Sequence, residues 1–165
     1  LMNFVDSYRN FTNLPTPQYQ LTDISQLLEN NLLAASAYAG FYTIHIEKNI
    51  PPHISIQTDE KLLSQVVTNL FKNAIECLVQ SSTNDPKLTI SLVEKKQSIY
   101  IELCNNGPEI SPELREQIFV PFFTTKEKGS GVGLSLSKQI MLKMNGDVWL
   151  KNTSERATTF EIVIN

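Results

Sequence analysis

The chain predicts an α+β protein, a two-layer α/β sandwich with helices on one face of a mixed, mostly antiparallel sheet. Three observations predict it. Apolar residues recur at helical spacing in stretches near 23–39, 60–80 and 132–144. Leu88, Ile90 and Leu92 alternate with polar residues, as do Ile99, Ile101 and Leu103, and Lys95-Lys96-Gln97 joins the two runs as a hairpin. Strand-like runs at 148–151 and 159–164 then close the chain after the last helix.

Each element follows from local punctuation. Leu1, Phe4, Val5, Tyr8 and Phe11 approach a helical repeat, which Pro15 and Pro17 end. Thr22 or Asp23 caps a second helix to about Ala39, closed by Gly40. Short strands are expected at 42–47 and 54–57, separated by Pro51 and Pro52. Asp59 caps the helix at 60–80, and the polar cluster at 81–86 stops it. A turn at 105–108 follows the hairpin, and Ser111 with Pro112 starts a short helix. Residues 119–131 form a loop bearing glycines and lysines, and Asn145 and Gly146 end the last helix.

Composition bounds the function classes. The 165 residues suit one domain, and 41% hydrophobic with 19% charged residues is ordinary for a globular protein. A net charge of −3 argues against a nucleic-acid surface. Cys77 and Cys104 have no CxxC spacing and read as reduced thiols in a cytoplasmic setting. His45 and His53 lack metal-ligand spacing. No apolar run approaches the roughly 18–20 residues that span a bilayer. The chain begins inside a patterned segment without an initiator methionine, so it is expected to be a piece of a longer protein, whose anchoring in the inner membrane the sequence leaves open.

The helix at 60–80 carries the first chemical signal. Asn69, Asn73 and Glu76 are spaced four and three apart and share one face, which Gln65 extends. Val66, Leu70, Ala74 and Cys77 form the neighbouring apolar line, widened by Leu63, Val67 and Leu78. Amide carbonyls suit a magnesium ion that keeps several waters and bridges phosphates. Buried amides that satisfy nearby backbone fit the same pattern equally well. The second signal is Gly129, Gly131 and Gly133, which free the backbone for close approach just before a helix whose start favours an anion. Lys126 and Lys128 lie upstream. Alone, the glycines fit a structural turn as well as a phosphate cradle. They are neither a Walker loop nor a dinucleotide fingerprint.

Taken together, five motifs in order resemble the catalytic ATP-binding domain of bacterial sensor histidine kinases, in the GHKL family with its Bergerat-type sandwich. Residues 65–76 resemble the N box, 105–110 the G1 box, 118–126 the F box, 129–136 the G2 box and 157–160 the final box. The resemblance implies ATP and Mg2+ as cofactors, with Asn73 as the metal ligand. It implies catalytic roles for Asn69, nearer the γ-phosphate, and for Lys126. Further nucleotide contacts are implied at Lys72, at Asn105, Gly107 and Ile110, and at Phe119 and Thr125. Gly129, Gly131, Val132, Gly133 and Leu134 match the phosphate cradle, and Thr159 matches the strand edging the adenine pocket. Residues 119–130 match a mobile lid, with Phe119, Phe122 and Phe123 at its start.

The domain division expected is 1–17 as the end of the second dimerisation helix with its linker, and 18–165 as the ATP-binding catalytic domain. The implied partners are an upstream dimerisation and phosphoacceptor domain, a response-regulator receiver domain and, for the full-length protein, a second copy. The phosphoacceptor histidine would precede Leu1, and neither His45 nor His53 fits that role. Hydrolases of the family commonly place a glutamate where this chain has Asn69; an amide cannot activate water, which favours phosphoryl transfer.

Two positions depart from the family pattern. Asn105 stands where an aspartate usually accepts the adenine amino group, and Glu109 stands at a usual glycine. A neutral acceptor is worth roughly 0.5–1.5 kcal/mol against 1.5–3 for a charged one, so ATP affinity is expected to fall by roughly tenfold. The final box has Arg156 and Ala157 where glycine is common. These departures keep open an alternative, a degenerate module with weak or no nucleotide binding that works through protein contacts. A hydrolytic family member is disfavoured by Asn69 and the short lid.

Overall fold

The computed structural model describes residues 5, 6, 8, 9 and 12–165. Leu1, Phe4 and Phe11 of the expected first helix lie outside the described residues. Val5, Asp6, Tyr8, Arg9 and Thr12 are helical, and the Asn13 N–H donates to the Arg9 carbonyl at 3.0 Å before the prolines.

The elements run β1 (Gln20–Asp23), α1 (Ile24–Ala35), β2 (His45–Asn49), β3 (Ser55–Thr58), α2 (Glu60–Gln80), β4 (Lys87–Lys95) and β5 (Ser98–Asn105). After these come α3 (Pro112–Arg115), α4 (Gly133–Lys143), β6 (Asp147–Ser154) and β7 (Ala157–Ile164). Five strands form one sheet in the order β2-β4-β5-β7-β6, with β2 parallel to β4 and every other pair antiparallel. β1 and β3 form a separate antiparallel pair. This is the α+β sandwich expected, with α2 packed between α1 and α4.

Alternation places the core. Ile90 and Leu92 of β4 pair with Leu103 and Ile101 of β5, Leu88 and Ile99 extend the same helix-side face, and all six are buried. Val66, Val67, Leu70, Phe71 and Ala74 of α2 belong to the same cluster, with Ile140 and Met141 of α4. Tyr100, Glu102 and Cys104 point to the opposite face and are only half-buried. On that face Lys151 pairs with Glu102 and with Glu161, the latter at 2.8 Å. The Lys151 ammonium beside it holds the Glu102 carboxyl below the usual carboxylate range.

Several elements differ from the sequence expectation. α1 ends at Ala35 rather than near 39, because the Ser36 hydroxyl turns back to the Leu33 carbonyl at 2.6 Å and ends the repeat. Gly40 therefore does not close that helix. Its φ of +82° opens a single 3-10 turn at Phe41–Thr43, which delays the next strand to His45–Asn49. Asp23, not Thr22, caps α1, accepting from the Gln26 N–H at 2.9 Å. β1 itself was not anticipated; four residues that are mostly polar carry no strand period. Ser111 precedes α3 but makes no side-chain cap bond.

Asp59 ties this frame together. One carboxylate oxygen caps α2 through the Leu62 N–H at 3.0 Å, and the other accepts the Gln18 N–H at 2.7 Å. Both bonds are charge-assisted and the residue is buried. Asp59→Ala is expected to cost about 2–3 kcal/mol, from a lost cap and a stranded donor. Urea denaturation should show a lower midpoint with an unchanged slope. Asp59→Asn, which keeps acceptors for only one of the two bonds, should fall between the two.

Candidate functional site

The polar face of α2 forms one wall of the site. Asn69, Asn73, Glu76 and Cys77 are half-buried along it, beside buried Val66, Leu70 and Ala74, while Gln65 is exposed. Cys77 lies eight positions after Asn69, about 12 Å along the helix. A different segment meets each end of that span.

At the Asn69 end stands the start of α4. The Asn69 Nδ2 donates to the Ser137 hydroxyl at 3.0 Å. A Cβ at Gly133 would lie 2.3 Å from Asn69 Oδ1, so only glycine permits this approach. Val132 at the helix start provides no side-chain cap, which leaves the first amides of α4 available to an anion. Gly131 has φ +68°, and a Cβ there would collide with the Phe122 carbonyl at 2.5 Å. The Phe122 N–H donates to the Gly131 carbonyl at 2.9 Å, closing the neck of the loop at 122–131. Val132 is buried and Leu134 packs on the core, so these two offer backbone rather than side chain. Gly129 lies against Thr124, whose Oγ1 a Cβ would meet at 2.5 Å.

The loop carries a lysine back to α2. Lys126 Nζ lies 2.5 Å from Glu76 Oε2 and 3.3 Å from Asn73 Oδ1. Lys72 Nζ stands 3.8 Å from the other Glu76 oxygen. Lys72 is exposed and, with Lys61 and Thr68, also lines a groove of about 410 Å3 between α2 and α4. Phe119 packs edge-on against Phe160 at 6.3 Å with Lys138 over its ring at 5.5 Å, so it anchors the loop to β7. Phe122 stacks on Tyr8 at 6.3 Å, and Thr125 is exposed.

At the Cys77 end stands the turn after β5. Asn105 is 5% exposed, and its Oδ1 accepts the Gly107 N–H at 3.0 Å. A Cβ at Gly107 would lie 2.9 Å from that oxygen and 3.0 Å from Cys77 Sγ. The Ile110 N–H is taken by the Thr153 hydroxyl at 3.0 Å, which also bonds the Thr158 hydroxyl at 2.8 Å. The β5–β7 register sets Thr158 opposite Asn105, and Thr159 opposite Cys104 on the other face. The residue of this strand beside the turn is thus Thr158 instead of Thr159; one position of slip changes the face. Glu109 turns away to Arg115 at 2.5 Å, and Arg115 Nε also donates to the Ile110 carbonyl. Its bulk and charge therefore leave the turn. Sequence reasoning also missed Ser137, Thr153 and Arg115, none of which stands in a motif. Burial pushes the Cys77 thiol up, against a smaller opposing effect of the Lys126 cation.

A polar helix face with an uncapped helix start at one end, a buried amide turn at the other and a lysine-bearing loop beside them defines a nucleotide-binding catalytic domain. Comparison with known proteins narrows that class. The model of the family described as histidine kinase-, DNA gyrase B-, and HSP90-like ATPase matches residues 58–165. Nitrogen regulation protein NtrY of Azorhizobium caulinodans is 27% identical over 154 residues, covering 92% of this chain and 20% of that protein. Sporulation kinase A of Bacillus subtilis is 31% identical over 160 residues, covering 97% of this chain and 24% of that one. The nucleotide-free catalytic domain of histidine kinase ThkA superposes with a TM-score of 0.77 at 26% identity, over 89% of this chain and 95% of that chain. The chain belongs to the histidine kinase-, DNA gyrase B- and HSP90-like ATPase family, as a catalytic ATP-binding domain of the sensor histidine kinase kind. It spans about a fifth to a quarter of the length of those two curated relatives.

Two outcomes follow from this geometry. Gly133→Ala should destabilise the domain by about 1–3 kcal/mol through overpacking, and Asn69→Ala in the same chain should recover most of that loss. Thermal unfolding of the two single variants and the double variant measures the coupling. In a Cys104→Ser background, alkylation of Cys77 should be slow at neutral pH, accelerate as pH rises past the ordinary thiol range, and slow again on adding nucleotide. Mass spectrometry of the alkylated chain reads all three.

Proposed function

We propose that this chain binds ATP along the α2 face and presents the γ-phosphoryl group to a histidine carried by a dimerisation segment upstream in its parent protein. The observation that carries the reading is the gathering of the α4 start, the Asn69–Asn73–Glu76 stripe and Lys126 along one face of α2. Amides of an uncapped helix start and a lysine on a loop are the groups that charge on phosphate oxygens requires.

The same cluster fits a metal. Lys126 already sets a cation on Asn73 Oδ1 and Glu76 Oε2. Among the described residues no group of three or more His, Cys, Asp or Glu could hold a metal by itself. Mg2+ asks for less, since it keeps waters and phosphate oxygens and takes one or two protein ligands. Asn73 would hold it. When bound, the ion supplies neutralising charge to the phosphate oxygens. The chain does the remaining work: Asn69 fixes the start of α4 on α2, and Lys126, released from Glu76, turns its ammonium to the phosphates. The amide at Asn69 offers no base for water, which supports transfer over hydrolysis.

The wider assignments rest on the same reading. Residues 1–17 are proposed as the end of the second dimerisation helix with its linker, and 18–165 as the catalytic domain. The full-length protein is proposed as a homodimer whose phosphohistidine feeds a response-regulator receiver domain. Among the described residues no helix is long and apolar enough to cross a membrane.

The test mixes this chain with γ-labelled ATP, Mg2+ and the histidine-bearing segment of its parent. Acid-labile label should appear on that segment and vanish with Asn73→Ala. Equal release of phosphate to water with or without the segment would count against transfer. Millimolar Mg-ATP should also raise the melting temperature; no shift favours a module that acts through protein contacts. Lys126→Ala should lower the transfer rate by about 10²-fold while freeing Asn73 and Glu76, so that the nucleotide-free variant binds Mg2+ more tightly by calorimetry.

A further inference from the structure

The two arms of the Asn105 amide have different fates. Oδ1 accepts the Gly107 N–H at 3.0 Å. Nδ2 donates to no acceptor among the described residues, although the residue is 95% buried, the complement of its 5% exposure. No side-chain nitrogen or oxygen of the described residues is sealed from solvent without a partner, so Nδ2 keeps its contact with the open side. The amide cannot simply be turned over. That would set Nδ2 against the Gly107 N–H, donor facing donor inside a buried turn. The turn thus claims the oxygen, while Gly107 packs close on Cys77 and Leu78 beside it, and leaves the nitrogen as a donor without a protein acceptor among the described residues.

We propose that Asn105 reads the C6 position of a purine as an acceptor, so that 6-oxo purine triphosphates bind this chain more tightly than ATP. The inference rests on the nucleotide-binding reading above and specifies the base. Adenine carries an amino donor at C6, which meets the Asn105 NH2 as a second donor. Hypoxanthine and guanine carry a carbonyl there, which accepts from it. An aspartate at this position has two oxygens; one serves the Gly107 N–H and the other remains an acceptor for adenine. The change from carboxylate to amide therefore exchanges the sign of the hydrogen bond, beyond removing a charge. A site built around a hydrogen bond rejects the analogue that cannot make it.

Calorimetric titration of this chain, with Mg2+ present, against ATP, inosine triphosphate and purine riboside triphosphate tests the idea. The last has no group at C6 and sets the reference. Inosine triphosphate should bind about tenfold tighter than ATP, with purine riboside triphosphate between them. In Asn105→Asp the order should reverse. ATP binding tighter than inosine triphosphate in the unaltered chain, or an ATP-to-inosine ratio unchanged by Asn105→Asp, would overturn the base assignment and leave the nucleotide site standing. Three equal affinities would do the same. No binding of any of the three at millimolar concentration would strike the nucleotide reading itself and this inference with it. The unaltered chain alone decides between these outcomes where the aspartate variant folds poorly.

Discussion

The approach of α4 to α2 is the contact on which the phosphate end depends. It is set by the missing Cβ at Gly133, which brings a helix start against Asn69. Glycine at a helical position costs roughly 0.5–1 kcal/mol relative to alanine. Burial of Ile140 and Met141 on the same helix returns about 1.5–3 kcal/mol each. The balance favours docking, so the sequence can keep a weak helix former where chemistry needs backbone. Asn69 is the other half of the device. Its amide bonds Ser137 and its oxygen faces Gly133, which makes it a strut between helices as well as a polar group at the site.

Charge at the site is held loosely. Lys126 and Glu76 have side chains 30% and 32% exposed, and a pair with that much water around it is worth no more than about 1 kcal/mol. Such a pair is easily exchanged for phosphate oxygens or a metal. The Lys151 pairs on the far face of the sheet show the contrast. There Glu161 has a side chain only 8% exposed, and both carboxylates share one ammonium. One cluster fixes the sheet face, whereas the other is, on the function proposed, a latch for a nucleotide to open.

What the sequence made legible was local. The bounds of α2 at 60–80 were readable because Asp59 and the 81–86 cluster punctuate it within the same segment. The β4–β5 hairpin was readable because alternation is a two-residue signal. The glycines at 131 and 133 were readable as backbone approaches, though not what they approach. The rest depended on partners far along the chain. β1 exists because β3 lies beside it, and Glu109 left the turn because Arg115 drew it away. The choice between Thr158 and Thr159 is a matter of strand phase, fixed only by pairing with β5. Lys126 could be named as a candidate from its position in the loop. That it rests on Glu76, fifty residues away, could not.

Asn105 shows how a contact within two residues can change the chemical question. In the sequence it is a weaker acceptor than aspartate, and the comparison is one of magnitude. In the fold, the backbone of the following turn has the prior claim on the only oxygen, because a buried N–H left without an acceptor costs about 1–3 kcal/mol. A carboxylate can serve the turn and still accept from a base. An amide that serves the turn has only a donor left. On the proposal that this turn faces the base, the residue here sets which hydrogen-bonding group the base carries, and the Gly107 N–H makes that choice by holding the oxygen.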